Sequence, residues 1–485
     1  MKVMITYPPI ESSKGIPLLS QNRQFQFFHN PTYLFPVIPA SAATLLQKRG
    51  HEVMWKDGIA ENLSLNNFYR FFESCRPDIV AIETKTPIIR QYWNIVNKLK
   101  EISPTTKIVL MGDHVTAFPT ESLINSRADF ILTGGDYDFA LAELVEALEK
   151  KKKIPRGFFY RKGKRIVSSG SFILNHNLDE LPFIDRELTK WWLYQREYNI
   201  KGRPYMYIMS GRDCPWHSCK FCAWPILFPK FRVRSTENIL NEIDTLITLY
   251  RIKEIFDDTG TFPAQPQSKW LHKFCDGMIK RGFNEVIDFS CNMRVDYLTK
   301  ENAKRMAKAG FRLVKIGLES ANQITLDRIN KGIKVKQIIQ ACKNAKAFGL
   351  VVHLTMIVGY PWETKERALN TFKLAKSLMQ HGYADVLQST VLIPYPGTRL
   401  WKEALEKKWF LINPYDYEKY DMSQPILKTP MDPEEVMKIC NGIYRIFLTP
   451  QYIYQRIKSI KSIDDLFFIL RGVKAVFGHI RDFSR

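Results

Sequence analysis

The 485-residue sequence predicts an α/β protein in three successive parts: a doubly wound parallel sheet, a partial (β/α)6 barrel and a small helical C-terminal appendage. Three observations predict it. Short apolar runs alternate with helical patterns over residues 1–150, the same alternation resumes from about 203, and beyond about 405 helical patterns continue with no strand between them.

In the first part, Lys2 to Thr6, Glu52 to Lys56, Asp78 to Glu83, Lys107 to Met111 and Asp129 to Thr133 read as strands. Helices are expected around Pro39 to Lys48, Leu65 to Ser74, Arg90 to Glu101 and Phe139 to Lys150. Such sheets bind ligands at the carboxyl ends of their strands. Here those ends carry Tyr7-Pro8-Pro9, Asp57-Gly58, Thr84, Gly112-Asp113-His114 and Gly134-Gly135-Asp136, a set able to cradle a large polar cofactor. None is a GxGxxG fingerprint, so a nicotinamide site is not indicated. A hairpin turning at Lys162-Gly163 is expected to cover the sheet's flank, and the polar, proline-bearing stretch 177–186 reads as a linker.

In the second part the strands are Tyr205 to Met209, Glu254 to Phe256, Val286 to Ser290, Val314 to Leu318, Val352 to Val358 and Val386 to Leu392. Helical patterns separate them, at Thr236 to Tyr250, Ser268 to Arg281, Lys300 to Ala309, Val335 to Phe348 and Lys365 to His381. Six βα units are too few to close a barrel fully, and the active site of such a fold lies at the C-terminal strand ends. The expected boundaries are 1–155, 156–200 for hairpin and linker, 201–405 for the barrel, and 406–485.

Composition narrows the setting. The cysteines are Cys75, Cys214, Cys219, Cys222, Cys275, Cys291, Cys342 and Cys440, and outside one trio they are scattered singly, a cytosolic pattern of buried thiols and not a disulfide framework. The N-terminus reads as a core strand and lacks a signal peptide's apolar run, and no stretch approaches the roughly 18 apolar residues of a membrane span. A cytoplasmic protein is expected. The formal charge of +22 is spread along the chain and reads first as a solvated basic surface. The segment Tyr444 to Arg485 differs, because aromatic and aliphatic residues there interleave with Arg456, Lys458, Lys461, Arg471, Lys474 and Arg481. Such helices lie on membrane surfaces or dock against a core.

The trio Cys214, Cys219 and Cys222 follows the first barrel strand, which puts it at the barrel mouth. Three thiolates, unlike four, leave a coordination position open for chemistry on an iron-sulfur cluster or a zinc ion. The later strand ends carry Asp257-Asp258-Thr259-Gly260, Cys291-Asn292-Met293-Arg294, Gly317-Leu318-Glu319-Ser320, Val358-Gly359-Tyr360-Pro361 and Pro394-Tyr395-Pro396-Gly397-Thr398. Singly each is a turn or a cap. In this order on successive strands they form a set.

That set resembles the radical S-adenosylmethionine (SAM) enzymes, and the preceding sheet makes the chain similar to the branch with an N-terminal cobalamin-binding domain. Cys222-Ala-Trp-Pro225, Arg232-Val-Arg-Ser235 and the tail resemble members acting in hopanoid synthesis and the anaerobic magnesium-protoporphyrin ester cyclase. The resemblance implies a [4Fe-4S] cluster on the trio, with SAM on its open iron, and a 5'-deoxyadenosyl radical acting on an unactivated carbon by methylation, cyclisation or rearrangement. It implies that Phe221 packs on the adenosyl group, that Asp257 and Asp258 lie near the amino group of SAM and Glu319 near its ribose, and that Val358, Gly359 and Tyr360 offer backbone to the adenine. It implies cobalamin along Pro8, Asp57, Gly58, Thr84, Gly112, Asp113, His114, Gly134, Gly135 and Asp136, unless that domain has lost its cofactor. Expected partners are a lipid-like or isoprenoid small molecule, an electron donor such as flavodoxin or ferredoxin, and the inner membrane surface through the tail; nucleic acid is not expected.

Two departures stand out. The family spacing is Cys-x3-Cys-x2-Cys, whereas here Pro215-Trp216-His217-Ser218 makes the first gap one residue longer, with His217 a minor alternative ligand against a loop residue. No His follows Asp57 in an Asp-x-His-x-x-Gly loop, so cobalamin would lack that lower ligand. His114 is then the histidine of these loops, either beside cobalt or shaping its loop. Two other classes stay open: a zinc hydrolase using the trio, and a nucleic-acid binder suggested by charge alone.

Overall fold

A computed structural model describes residues 1–19, 25–265, 268–460 and 462–483. The first part contains strands β1 (Lys2–Tyr7), β2 (Ile16–Leu19), β3 (Phe25–Phe28), β4 (Glu52–Asp57), β5 (Ile79–Thr84), β6 (Lys107–Gly112), β7 (Phe130–Leu132), β8 (Phe158–Lys162) and β9 (Arg165–Ser168). They form a seven-stranded sheet of order β4-β1-β5-β6-β7-β8-β9, plus a separate ribbon of β2 and β3. Strands β4 to β7 pair in parallel, with β1 between β4 and β5. The chain therefore reverses its winding at β1 and β5, the point where such sheets open a crevice for ligands. Every residue of β5 is buried, as expected of a strand covered by helices on both faces.

The hairpin does not cover the flank of the sheet. Strands β8 and β9 add to its edge in antiparallel register, Phe130 opposite Tyr160 and Leu132 opposite Phe158, because their apolar residues continue the surface of β7.

The second part contains β10 (Tyr205–Ile208), β11 (Gly211–Arg212), β12 (Arg232–Val233), β13 (Glu254–Asp257), β14 (Asp288–Met293), β15 (Phe311–Glu319), β16 (Val351–Val358) and β17 (Val386–Val391). Six of these form an open, all-parallel sheet in sequence order, the partial barrel expected. Hydroxyl caps set where its helices begin. Ser235, Ser268, Thr299, Thr364 and Thr398 each accept a hydrogen bond from a backbone N–H of the first helical turn, satisfying donors the helix cannot. The C-terminal segment is helical at Pro433–Asn441, Pro450–Lys458 and Ile463–Phe483.

Buried charges lock the two α/β parts together. Arg212, on β11, meets Asp138 at 2.6 Å with both side chains buried. Arg232, on β12, forks onto the two carboxylate oxygens of Asp136 at 2.9 and 2.6 Å. The stretch 177–186 is no loose linker: Arg186 is wholly buried, lies 4.8 Å over the ring of Phe35, and donates to the Tyr207 carbonyl at 2.9 Å and to Glu242 at 3.3 Å. A guanidinium can be buried so only with partners on both sides.

His176 joins the same clamp, 3.5 Å from Asp136 and 3.0 Å from Glu143 and stacked on Phe139. Hydrogen bonds to Asp136 and Glu143 push its pKa from 6.5 to about 9, while those from His176 and Arg232 outweigh burial and hold Asp136 at about 2. A raised histidine pKa stabilises the fold fully below 6.5 and ceases to do so as pH passes 9. The thermal midpoint should therefore fall between these values, and His176→Gln should remove that slope; an unchanged slope in the variant would show that another group carries it.

Candidate functional site

The cysteine trio lies at the carboxyl end of the barrel strands, after β11, and borders a cavity of about 200 Å3. The extra residue of the loop is accommodated by left-handed backbone at Asp213 (φ 74°) and His217 (φ 52°). The His217 ring Nδ1 faces the Asp213 carboxylate, which ties the two left-handed residues to each other. His217 borders the cavity with the cysteines, so the structure places it as a loop-closing residue beside the trio.

Trp216 anchors the same loop from outside. Its indole N–H donates to the Asn330 carbonyl at 2.7 Å, and the Arg294 guanidinium lies 4.8 Å over its ring. A Cβ at position 332 would stand 2.1 Å from that ring, so Gly332, at φ 69°, is required both by backbone and by space. Asn330 donates to the Ser218 carbonyl at 3.1 Å, and the Lys220 N–H donates to the Ile329 carbonyl at 2.9 Å. Residues 329–332 thus hold the loop along its length.

Positive charge surrounds the thiols. Burial raises the pKa of Cys219, and Lys331 and Arg294 oppose that by favouring the thiolate. Lys331 pairs with Glu319 at 2.6 Å, and Arg294 donates twice to the Lys331 carbonyl and forks onto Asp296 at 2.9 and 3.0 Å. None of the three cysteines is in a disulfide, and all are part-exposed. Among the described residues, no three His, Cys, Asp or Glu side chains gather closely enough to hold one metal ion, the arrangement a zinc centre needs. Three unbridged thiols on one cavity wall suit a cluster whose irons are bound by separate sulfurs.

Phe221 and Glu319 line the cavity with the cysteines. Asp257 does not. It is fully buried and accepts from Ser210 N–H at 3.0 Å, from the Ser210 hydroxyl, and from Thr259 N–H at 2.9 Å, so it splices the end of β10 to that of β13. That splice presents Gly260 and Thr261 to the cavity. Asp258 faces a second, deeper chamber. On β16 the cavity is lined by Thr355 and Ile357; Val358, Gly359 and Tyr360 lie just past them, with Gly359 N–H held by Glu363 at 2.8 Å. Sequence reasoning gave no role to Trp216, which it read only as part of the longer first gap, nor to Gly332 and Lys331, which sit in a stretch without a strand-end motif.

Several of the sheet-end candidates are occupied by the protein itself. Asp57 caps its own turn through Ile59 and Ala60 N–H and accepts from the Tyr194 hydroxyl at 2.7 Å. Burial pushes its pKa up to about 6. Asp136 belongs to the clamp, and Cβ atoms at Gly134 and Gly135 would strike the rings of Phe172 and Phe228. Gly58 lies against Pro9, and Gly112, at φ 128°, lies against the Thr84 carbonyl. His114 is fully buried, its ring nitrogens 3.2 Å from Thr86 and Glu121, so it shapes its loop and does not face the crevice. The crevice at the switch point is instead polar through Tyr7, whose hydroxyl donates to Glu83, and through Lys85, which lies 3.6 Å from Glu83 and 3.9 Å from Asp113. Beside them the buried hydroxyls of Tyr92 and Tyr137 have no partner among the described residues. Unsatisfied hydroxyls at that place fit a polar ligand.

Residues 208–375 match the profile of the Radical SAM superfamily, so the barrel carries a radical SAM domain. Over 464 residues, 94% of this chain and 95% of the relative, it is 29% identical to an uncharacterised methyltransferase of Pyrococcus horikoshii. Over 442 residues, 86% of this chain and 74% of the relative, it is 25% identical to the anaerobic magnesium-protoporphyrin IX monomethyl ester cyclase of Rubrivivax gelatinosus. Its fold is that of the radical SAM methyltransferase TsrM from Kitasatospora setae, solved with cobalamin and a [4Fe-4S] cluster bound, at a TM-score of 0.66 and 14% identity over 86% of this chain and 85% of that one.

Gly332→Val should force the Trp216 ring out of its place, at about 1–3 kcal/mol of overpacking. Iron content and visible absorbance after anaerobic reconstitution should fall well below those of the unaltered protein. Full cluster loading would show that the loop holds its form without this contact.

Proposed function

We propose that the protein transfers a methyl group to an unactivated carbon of a largely apolar small molecule, using a [4Fe-4S] cluster on Cys214, Cys219 and Cys222, SAM, and cobalamin at the first sheet. One observation carries this reading: the cysteine cavity and an inner chamber of about 240 Å3 share a wall at Lys315, so a radical source and a substrate have adjoining places inside one barrel. The inner chamber is lined by aromatic and aliphatic side chains of the barrel floor and of the C-terminal helices, among them Tyr207, Phe256, Phe447 and Phe468.

The cluster with SAM supplies a carbon-centred radical after one-electron reduction, and cobalamin supplies a methyl carrier. The chain's own residues do the rest. Lys331 and Arg294 would offset the negative charge gathered at the thiolates, and Glu319, held by Lys331, would accept from the ribose. Phe221 offers an apolar surface to the adenosyl group. Tyr7, Glu83, Lys85, Tyr92, Asp113 and Tyr137 would hold the polar edge of the cobalamin, and Pro8 and Thr84 border them in sequence. A flavodoxin- or ferredoxin-type donor would bring the electron to the basic protein surface.

Anaerobic protein given dithionite and SAM should release 5'-deoxyadenosine, and Cys219→Ala should reduce this by at least a hundredfold. Cobalamin should copurify near one per chain. An enzyme that makes 5'-deoxyadenosine without cobalamin would overturn methyl transfer and leave the radical reading in place.

The tail supports docking on an anionic membrane surface. Ile457, Ile463, Leu466 and Leu470 are exposed at 63, 72, 43 and 53%, and Lys458, Arg471 and Lys474 flank them. Among the described residues no helix is long and apolar enough to cross a membrane, so the contact would be peripheral. Serine at Ile463, Leu466 and Leu470 together should lower cosedimentation with phosphatidylglycerol vesicles about tenfold; equal sedimentation would overturn the docking.

A further inference from the structure

We infer that His353 is the polar anchor of the substrate, and that the substrate bears an uncharged hydrogen-bonding group, a hydroxyl or a carbonyl, on an otherwise apolar body. The inference rests on the reading of the inner chamber as the substrate's place.

His353 is on β16 with 1% of its surface exposed, and it lines the chamber. It pairs in register with Lys315 on β15. Its Nε2 is buried and has no hydrogen-bond partner among the described residues. Charged groups on the chamber wall are engaged, although Arg456, which reaches Asp385 through Nη2, keeps an Nε that has no partner among the described residues. Asp385 is held by Lys346 at 2.9 Å, by the Val352 N–H at 2.8 Å and by Arg456. Ser389 donates to the Cys440 sulfur at 3.3 Å, and Glu197 accepts from the Asn199 N–H at 3.2 Å. Asp258, Lys315 and Gln388 interact with other groups of the protein. A buried nitrogen without a partner is costly, and a protein keeps one where a ligand completes it.

Charge selects the head group. Burial and the neighbouring Lys315 keep the imidazole neutral. Glu197, Asp258 and Asp385 face the chamber against Lys315 and Arg456, so the two cations already have carboxylates near them and an added carboxylate would meet three others. The Nε2 of a neutral imidazole is a donor or an acceptor according to tautomer; a hydroxyl complements either, and a carbonyl the donor. Position selects the reacting carbon. Along β16, Thr355 is the next residue of the same face and lines the cysteine cavity. Two residues of strand span about 6.6 Å. The carbon presented to the radical should therefore lie several bonds from the anchored group.

The test uses the full-length protein with its cluster reconstituted anaerobically and the neutral fluorophore N-phenyl-1-naphthylamine in the chamber. 1-Dodecanol should displace the dye at concentrations at least tenfold lower than dodecane or dodecanoate, and His353→Leu should reduce that preference to less than threefold without weakening dodecane. On the unaltered protein carrying 15N-histidine, dodecanol should shift the His353 Nε2 resonance. Dye binding with no preference for dodecanol, a preference for dodecanoate, or an unmoved resonance would overturn the anchor. Failure of the dye to bind at all would overturn the chamber reading beneath it, while 5'-deoxyadenosine release would still report on the cluster.

Discussion

The packing of Trp216 against Gly332, with the Arg294 guanidinium over the indole, is the constraint on which the site depends. A loop with three thiols and a residue more than the family spacing has many conformations, and a cluster needs one. The indole is large, apolar and fixed at its N–H by the Asn330 carbonyl, so it converts a flexible loop into a rigid ledge. Arg294 then serves twice, covering the ring and placing positive charge beside Cys219.

A second level of order brings two sheets face to face. Asp136 and Asp138 begin the helix after β7, and both reach across to arginines of the short ribbon β11–β12 that flanks the cysteine loop. Taking either partner away would strand a buried charge, which is why such pairs fix geometry more reliably than they add stability. The clamp thereby fixes the carboxyl end of the first sheet against the ribbon that flanks the cysteine loop of the second.

Much of the fold was legible because parallel strands covered on both faces give unbroken apolar runs, and hydroxyl residues mark where the following helices start. Thr236 to Tyr250 was readable to the residue from Ser235 onward. The β2–β3 ribbon was not, since eight residues of ribbon carry too little periodicity to stand out. In the site the cysteines, Phe221 and Glu319 were legible from their order along the chain. Asp257 was misplaced because a carboxylate that caps a loop and one that binds a ligand look alike in sequence; only its Ser210 and Thr259 partners distinguish them. Gly332 and Lys331 were illegible because their roles arise from a residue more than a hundred positions earlier in the chain. His114 and the paired glycines read as ligand contacts for the same reason: buried polar and small residues at strand ends also serve to dock one element on another.

The wall that the two cavities share at Lys315 has a consequence for the order of events. The barrel holds one compartment at its mouth, beside the thiols, and another at its floor, against the C-terminal helices. On the proposed reading, SAM at the mouth would leave the floor free for a second molecule, and the two compartments would fill independently with Lys315 on the wall between them.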